Sequence, residues 1–144
     1  MTTTTTDPEE IAHHLGVTIF THLGGEKGRY YGNGAISLRA GLGHVNRRST
    51  LAHELAHHVL RHDPAATGWV QMRQEHQADQ LAAQTLITPT DYAQAERLYG
   101  PHPGAIAQEL EVTRHLLHVW KNIPGTPERK QPHDHRASSE LPRR

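Results

Sequence analysis

The spacing of apolar residues changes near residue 46, and this change constrains the fold more than any other feature of the chain. From there on, Leu51, Leu55 and Val59 recur every four residues, which predicts an amphipathic helix over 47–62. Three earlier segments carry β-branched, aromatic or alternating side chains between glycine-rich turns, namely 17–22, 28–31 and 35–39. This pattern is typical of strands. We therefore predict a small antiparallel three-stranded sheet packed on a helical core.

Further helices are predicted before and after this core. Asp7 is a typical N-cap and Pro8 a typical first helical residue, so a helix begins there, and Gly16 ends it. Four more helical segments follow at 70–87, 90–99, 105–110 and 113–122. The predicted fold class is α+β, and the last two segments have the spacing of a helix-turn-helix-like helical pair.

The composition divides the chain into four parts. We predict a disordered leader over 1–6, one folded domain over 7–99 and a helical extension over 100–122. Residues 123–144 contain four prolines and eight formally charged side chains. Such a segment cannot bury enough apolar surface to fold, so we predict a disordered tail there.

The composition also excludes several classes of protein. There is no cysteine, which excludes disulfides and thiolate metal sites and fits a reducing cytoplasm. Fifteen basic side chains balance fifteen acidic ones, so net charge favours neither a nucleic acid nor a membrane surface. The first ten residues lack the regions of a signal peptide, and no apolar run reaches the roughly 18 residues of a transmembrane helix. We expect a soluble cytoplasmic protein.

Histidine makes up 14 of the 144 residues, and two histidines lie four residues apart on the predicted 47–62 helix. His53 and His57 project from one helix face, so both imidazoles can reach one tetrahedral Zn²⁺ at about 2.0–2.1 Å. Glu54 lies about 100° around the helix, where its carboxylate can take a proton from a metal-bound water. In a chain so rich in histidine, a histidine-bearing solvent face is the alternative interpretation. The pattern predicts two ligands and a general base.

A third ligand is predicted on the 70–87 helix. Glu75 and Asp79 are four residues apart and share a face. Glu75 would complete the three protein ligands of a catalytic zinc ion, which keeps its fourth position open. Asp79 would accept a hydrogen bond from the free nitrogen of a ligand histidine and fix its tautomer. Either residue alone would favour a solvated polar face, but together with the histidine pair they favour a metal site.

The chain resembles the ImmA/IrrE metallo-endopeptidases in three segments, and the resemblance covers roughly 10–122. The segments are 48–60 (RSTLAHELAHHVL), 75–83 (EHQADQLAA) and 86–89 (LITP). Leu81 stands where the family usually has phenylalanine. The resemblance implies that 7–99 is a zincin-like metallopeptidase domain with one catalytic Zn²⁺ and a gluzincin-like arrangement of Glu75 and Asp79. It also implies a bacterial protein, or a phage protein in the host cytoplasm, that inactivates a helix-turn-helix repressor, often by cleaving it.

Other roles stay open at the level of sequence. A side chain that stabilises the oxyanion is expected near the metal, and the candidates by position are Tyr30, Tyr31, His44 and His76. For each of them, a packed aromatic ring or a surface histidine is the favoured interpretation. We interpret His58 and His62 as non-ligands, because His58 diverges from His57 by about 100° and His62 lies too far along the helix.

The last predicted helix carries few basic side chains. Its cations are Arg114 and Lys121, and Glu109 and Glu111 lie nearby. We therefore expect the helical pair to pack or to dock substrate and not to bind DNA directly.

The sequence as a whole leaves two functions open: a zinc metallo-endopeptidase that hydrolyses a protein substrate, or a non-catalytic zinc-binding regulatory module that sequesters a DNA-binding partner.

Overall fold

The computed structural model describes residues 6–126. The helices and strands occur in the predicted order: α1 (Pro8–Leu15), β1 (Thr18–His22), β2 (Gly28–Tyr30), β3 (Ala35–Arg39), α2 (His44–Val59), α3 (Gly68–Leu86), α4 (Pro89–Tyr99), α5 (Pro103–Leu110) and α6 (Arg114–Lys121). The predicted α+β class is confirmed. Apart from Thr6 and 123–126, the predicted leader and tail lie outside the described residues. Within 6–126 no helix is long and apolar enough to cross a membrane.

The sheet corrects the antiparallel prediction. Its strand order is β1-β3-β2, with β1 parallel to β3 and β2 antiparallel to β3. The short turn after β2 joins β2 and β3 as a hairpin. The connection over 23–27 leads from β1 to the opposite edge of the sheet, so that β3 lies between β1 and β2. β3 is consequently the central strand, and Ile36, Ser37 and Leu38 are all buried in it. Strand periodicity predicts which side chains face the core, but it does not determine the order of the strands in the sheet.

Helix α2 ends earlier than predicted, at Val59 instead of residue 62. Arg61 adopts a left-handed conformation with φ of 59°. The amide of His62 then donates to the carbonyl of His57 at 3.0 Å, and the amide of Arg61 donates to the carbonyl of His58 at 3.1 Å. These two bonds form a Schellman turn, which returns the chain over the last turn of the helix. His62 therefore lies beside His57 and not beyond it.

Two hydrophobic clusters fix α2 between the sheet and the later helices. Leu51 and Leu55 pack with Ile36 and Leu38 of β3 in the first cluster. The second cluster joins α3, α4, α5 and α6 and includes Ala52 of α2. It includes small side chains of α2 and α3 and the bulkier apolar residues of α6: Ala52, Ala82, Ala83, Leu116, Leu117 and Trp120. Small residues let α2 and α3 approach closely, so that polar groups on their facing turns can meet.

Candidate metal centre

Three donor side chains converge between α2 and α3. One ligand atom from each of His53, His57 and Glu75 lies within 4.8 Å of the others. The two histidine Nε2 atoms are 3.1 Å apart, and the Glu75 oxygens lie 3.1 Å from Nε2 of His53 and 2.9 Å from Nε2 of His57. Ligand atoms of a tetrahedral zinc ion are separated by about 3.3 Å. The donor triangle formed by these three residues therefore has the donor types and the spacing that could hold a metal ion.

The electrostatics of the donor triangle favour a cation. Burial lowers the pKa of His53, but hydrogen bonds to the Asp79 and Glu75 carboxylates outweigh burial and raise this pKa to about 10. Hydrogen bonds to His53 and His57 lower the pKa of Glu75. The carboxylates of Asp79 and Glu75 therefore favour a positive charge at this site, either a proton or a metal ion.

Asp79, which the sequence predicts as the partner of a ligand histidine, contacts His53 of the donor triangle. Oδ1 of Asp79 lies 2.8 Å from Nδ1 of His53, and Oδ2 lies 2.8 Å from Nε2 of His115. Burial raises the pKa of Asp79, but the hydrogen bonds to the two histidines lower it on balance. Because an ionised carboxylate only accepts, Nδ1 of His53 donates and its Nε2 faces the donor triangle.

A different partner contacts the outer nitrogen of His57. His57 Nδ1 lies 2.9 Å from Nδ1 of His62, whose Nε2 lies 3.0 Å from Oε1 of Gln77. His62 is not part of the donor triangle, but it touches the ring of His57, which is. Sequence reasoning missed this contact, because the left-handed turn at Arg61 cannot be recognised from a residue that is not glycine. Burial lowers the pKa of His62.

Glu54 lies beside the donor triangle with 8% of its surface exposed. Burial raises the pKa of its carboxyl group above that of an ordinary glutamic acid. Strand β2 passes directly over it: a Cβ added to Gly28 would lie 2.6 Å from Cγ2 of Thr50 and 2.9 Å from Oε2 of Glu54. Glycine is therefore required at position 28 for β2 to approach α2 this closely.

A cleft of about 700 Å³ opens over the donor triangle. Strand β2 contributes Gly28, Arg29 and Tyr30 to its lining, and α6 contributes His115 and Leu116. His53, Glu54, His57 and Glu75 all line the same cleft. A molecule that enters the cleft therefore meets the donor triangle and the Glu54 carboxyl group together.

The structure places one of the four candidates for oxyanion stabilisation at the cleft. Tyr30 lines the cleft and stacks on His57 with ring centroids 5.4 Å apart, while its hydroxyl donates to the carbonyl of His62 at 2.8 Å. Tyr31, His44 and His76 do not line the cleft. Their polar atoms lie against Ser37, Glu111 and Gln80 respectively. His115 does line the cleft, and sequence reasoning missed it because only the packing of α6 on α3 brings it there.

An α+β domain with two histidines one turn apart and a glutamate from the next helix defines a metal-binding domain of the kind found in metallopeptidases. The IrrE N-terminal-like domain, which represents the peptidase M78 family, matches residues 12–119, and the chain belongs to this family. The match includes the donor triangle, Glu54, Asp79 and His115. The sequence resemblance to the ImmA/IrrE peptidases is thereby confirmed. No curated protein sequence matches the chain.

Proposed function

We propose that this protein is a zinc metallo-endopeptidase that hydrolyses a peptide bond in a protein substrate. The observation that supports the proposal best is the convergence of His53, His57 and Glu75 beside the buried carboxyl group of Glu54, in one open cleft. Two imidazole nitrogens and a carboxylate form a donor set that suits zinc. When bound, Zn²⁺ would polarise the peptide carbonyl and acidify a water molecule.

Glu54 is the residue that we expect to move the proton. Its carboxylate would accept a proton from the attacking water and then donate it to the nitrogen of the leaving amine. An ordinary glutamate is a weak base at neutral pH, and burial of Glu54 raises its pKa and so its basicity. Strand β2 approaches this side chain closely at Gly28.

Strand β2 supports a polypeptide as the substrate. It lies at one end of the sheet order β1-β3-β2, and it lines the cleft. An extended peptide can add to the edge of a sheet through backbone hydrogen bonds, largely independently of its sequence. Family membership supports the further proposal that the natural substrate is a helix-turn-helix repressor.

The second candidate function is a non-catalytic zinc-binding module that sequesters a DNA-binding partner. The exposed apolar residues Trp69 and Met72 at the start of α3 favour it, with 77% and 71% of their surfaces accessible. Helix α6 offers less support for direct DNA binding. Its Leu116, Leu117 and Trp120 are buried, and His115 contacts Asp79.

A single substitution distinguishes the two functions. Glu54→Gln removes the proton acceptor but leaves the three donors, so we expect Zn²⁺ binding to be retained and cleavage of a co-expressed helix-turn-helix repressor to fall by about 10²–10⁴-fold. Glu26→Gln is the matched control, since Glu26 also lines the cleft but lies outside the donor triangle. Unchanged cleavage by the Glu54→Gln variant would refute catalysis. Sequestration would be favoured if the wild type inactivated the repressor without cleaving it and both variants did so equally well.

A further inference from the structure

The outer nitrogen of His57 meets a second histidine, whereas the outer nitrogen of His53 meets a carboxylate. His57 Nδ1 lies 2.9 Å from His62 Nδ1, and both residues are buried, with 5% and 8% of their surfaces exposed. Two ring nitrogens at this distance share one hydrogen, so one of them donates and the other accepts. Which one donates determines whether Nε2 of His57 is free to bind a metal ion.

Gln77 determines the direction of this hydrogen bond. Its Oε1 lies 3.0 Å from Nε2 of His62, and a carbonyl oxygen only accepts, so Nε2 of His62 carries the hydrogen. In a neutral ring, Nδ1 of His62 is then an acceptor, and Nδ1 of His57 must donate to it. With Nδ1 of His57 donating, Nε2 is the nitrogen left to bind a metal ion, which would take the place of the hydrogen that Nε2 shares with Glu75 at 2.9 Å.

Two further contacts hold His62 in place. The Schellman turn binds its backbone amide to the carbonyl of His57 at 3.0 Å. On the other side, the hydroxyl of Tyr30 donates to the carbonyl of His62 at 2.8 Å, and the Tyr30 ring stacks on His57. The backbone of His62 is therefore held beside His57 by bonds that do not depend on the His62 side chain.

We propose that Gln77 and His62 form a hydrogen-bond relay that holds His57 in the tautomer that binds the metal ion. Both are positioning residues, because neither reaches the donor triangle. The inference rests on the metal site of the proposed function and not on peptide hydrolysis. The two ligand histidines are then oriented by different chemistry, His53 by the carboxylate of Asp79 and His57 by a neutral relay.

Zinc affinity tests the relay in the full-length protein. Affinity is measured for Zn²⁺ in competition with a chromophoric chelator, after circular dichroism has shown that each variant is folded. His62→Leu removes the relay and should weaken Zn²⁺ binding by about 10–100-fold. Gln77→Leu should weaken it less. Because Gln77 is exposed, this variant tests the relay even where His62→Leu does not fold.

A control variant separates the relay from simpler effects. His58→Leu removes the histidine adjacent to His57, which takes no part in the relay, and should bind Zn²⁺ as the wild type does.

Nuclear magnetic resonance of protein labelled with ¹⁵N-histidine measures the tautomers directly. We expect His62 to carry its hydrogen on Nε2 in the wild type. An Nδ1–H tautomer at His62, or Zn²⁺ affinities of folded His62→Leu and Gln77→Leu within twofold of the wild type, would overturn the relay. A wild type that binds Zn²⁺ but cleaves no peptide would refute the proposed function and leave the relay intact. A wild type that binds no Zn²⁺ would refute both.

Discussion

Zinc binding should tighten steeply as pH rises, because the metal ion must displace a proton from His53. Burial lowers the pKa of His53 in the metal-free protein, but hydrogen bonds to Asp79 and Glu75 raise it to about 10. The pKa of Glu75 is lowered by its hydrogen bonds to His53 and His57, so this ligand is already ionised at neutral pH. The proton of His53 is therefore the one that competes with the metal ion above pH 7.

The magnitude follows from this pKa. At pH 7 only about one His53 ring in a thousand is unprotonated, so the apparent Zn²⁺ affinity lies about a thousandfold below its high-pH limit. It should rise about tenfold per pH unit, and hence about a hundredfold between pH 7 and 9. A histidine with an ordinary pKa near 6.5 would change the affinity by less than about twofold over the same range.

A chelator competition with known pH dependence measures this affinity, and calorimetry in buffers of different ionisation enthalpy counts the protons released. We expect His53 to release about one proton per Zn²⁺ between pH 7.5 and 9. Asp79→Asn removes a carboxylate that stabilises the charged ring, so the steep region should move to lower pH. This shift distinguishes the His53 proton from one lost by bound water. An affinity that is constant between pH 7.5 and 9 in the wild type would refute the reasoning.

Three further predictions concern stability. Gly28→Ala should lower the free energy of unfolding in urea by about 1–3 kcal/mol, since the new Cβ would overlap Thr50. Adding Thr50→Ser, which removes the overlapped methyl group, should restore part of this loss, and an unchanged free energy in Gly28→Ala would contradict the close approach. Arg61→Gly should raise the free energy of unfolding by about 1 kcal/mol, because glycine adopts the left-handed conformation at this position without the steric strain of a Cβ. A lower Tm would contradict this. In the metal-free protein, the charged His53 ring stabilises the fold fully below pH 6.5, and this contribution is lost as pH rises through about 10. Its Tm should therefore fall between pH 7 and 9 more than that of a His53→Gln variant, and equal falls would count against the ion pairs.

The sequence by itself determined the residues of the donor triangle, because helical geometry is local. Residues four apart on a helix share a face whatever the rest of the chain does. His53 and His57 on α2, and Glu75 and Asp79 on α3, could therefore be proposed as two facing pairs. The caps of α1 and the apolar stripe of α2 were readable for the same reason, since each depends on neighbours within a few residues.

Only the tertiary structure decided how the elements meet. The parallel pairing of β1 with β3 depends on the path of a connection whose residues carry no pairing signal. His62 reaches His57 through a left-handed turn at Arg61, and His115 reaches Asp79 across 36 positions of the chain. Periodicity states which face of an element is apolar, but which polar side chains meet across two elements depends on the packing of both. Of the side chains that contact the two histidines of the donor triangle from outside, Asp79 could therefore be predicted from a helix face, whereas His62 and Gln77 could not.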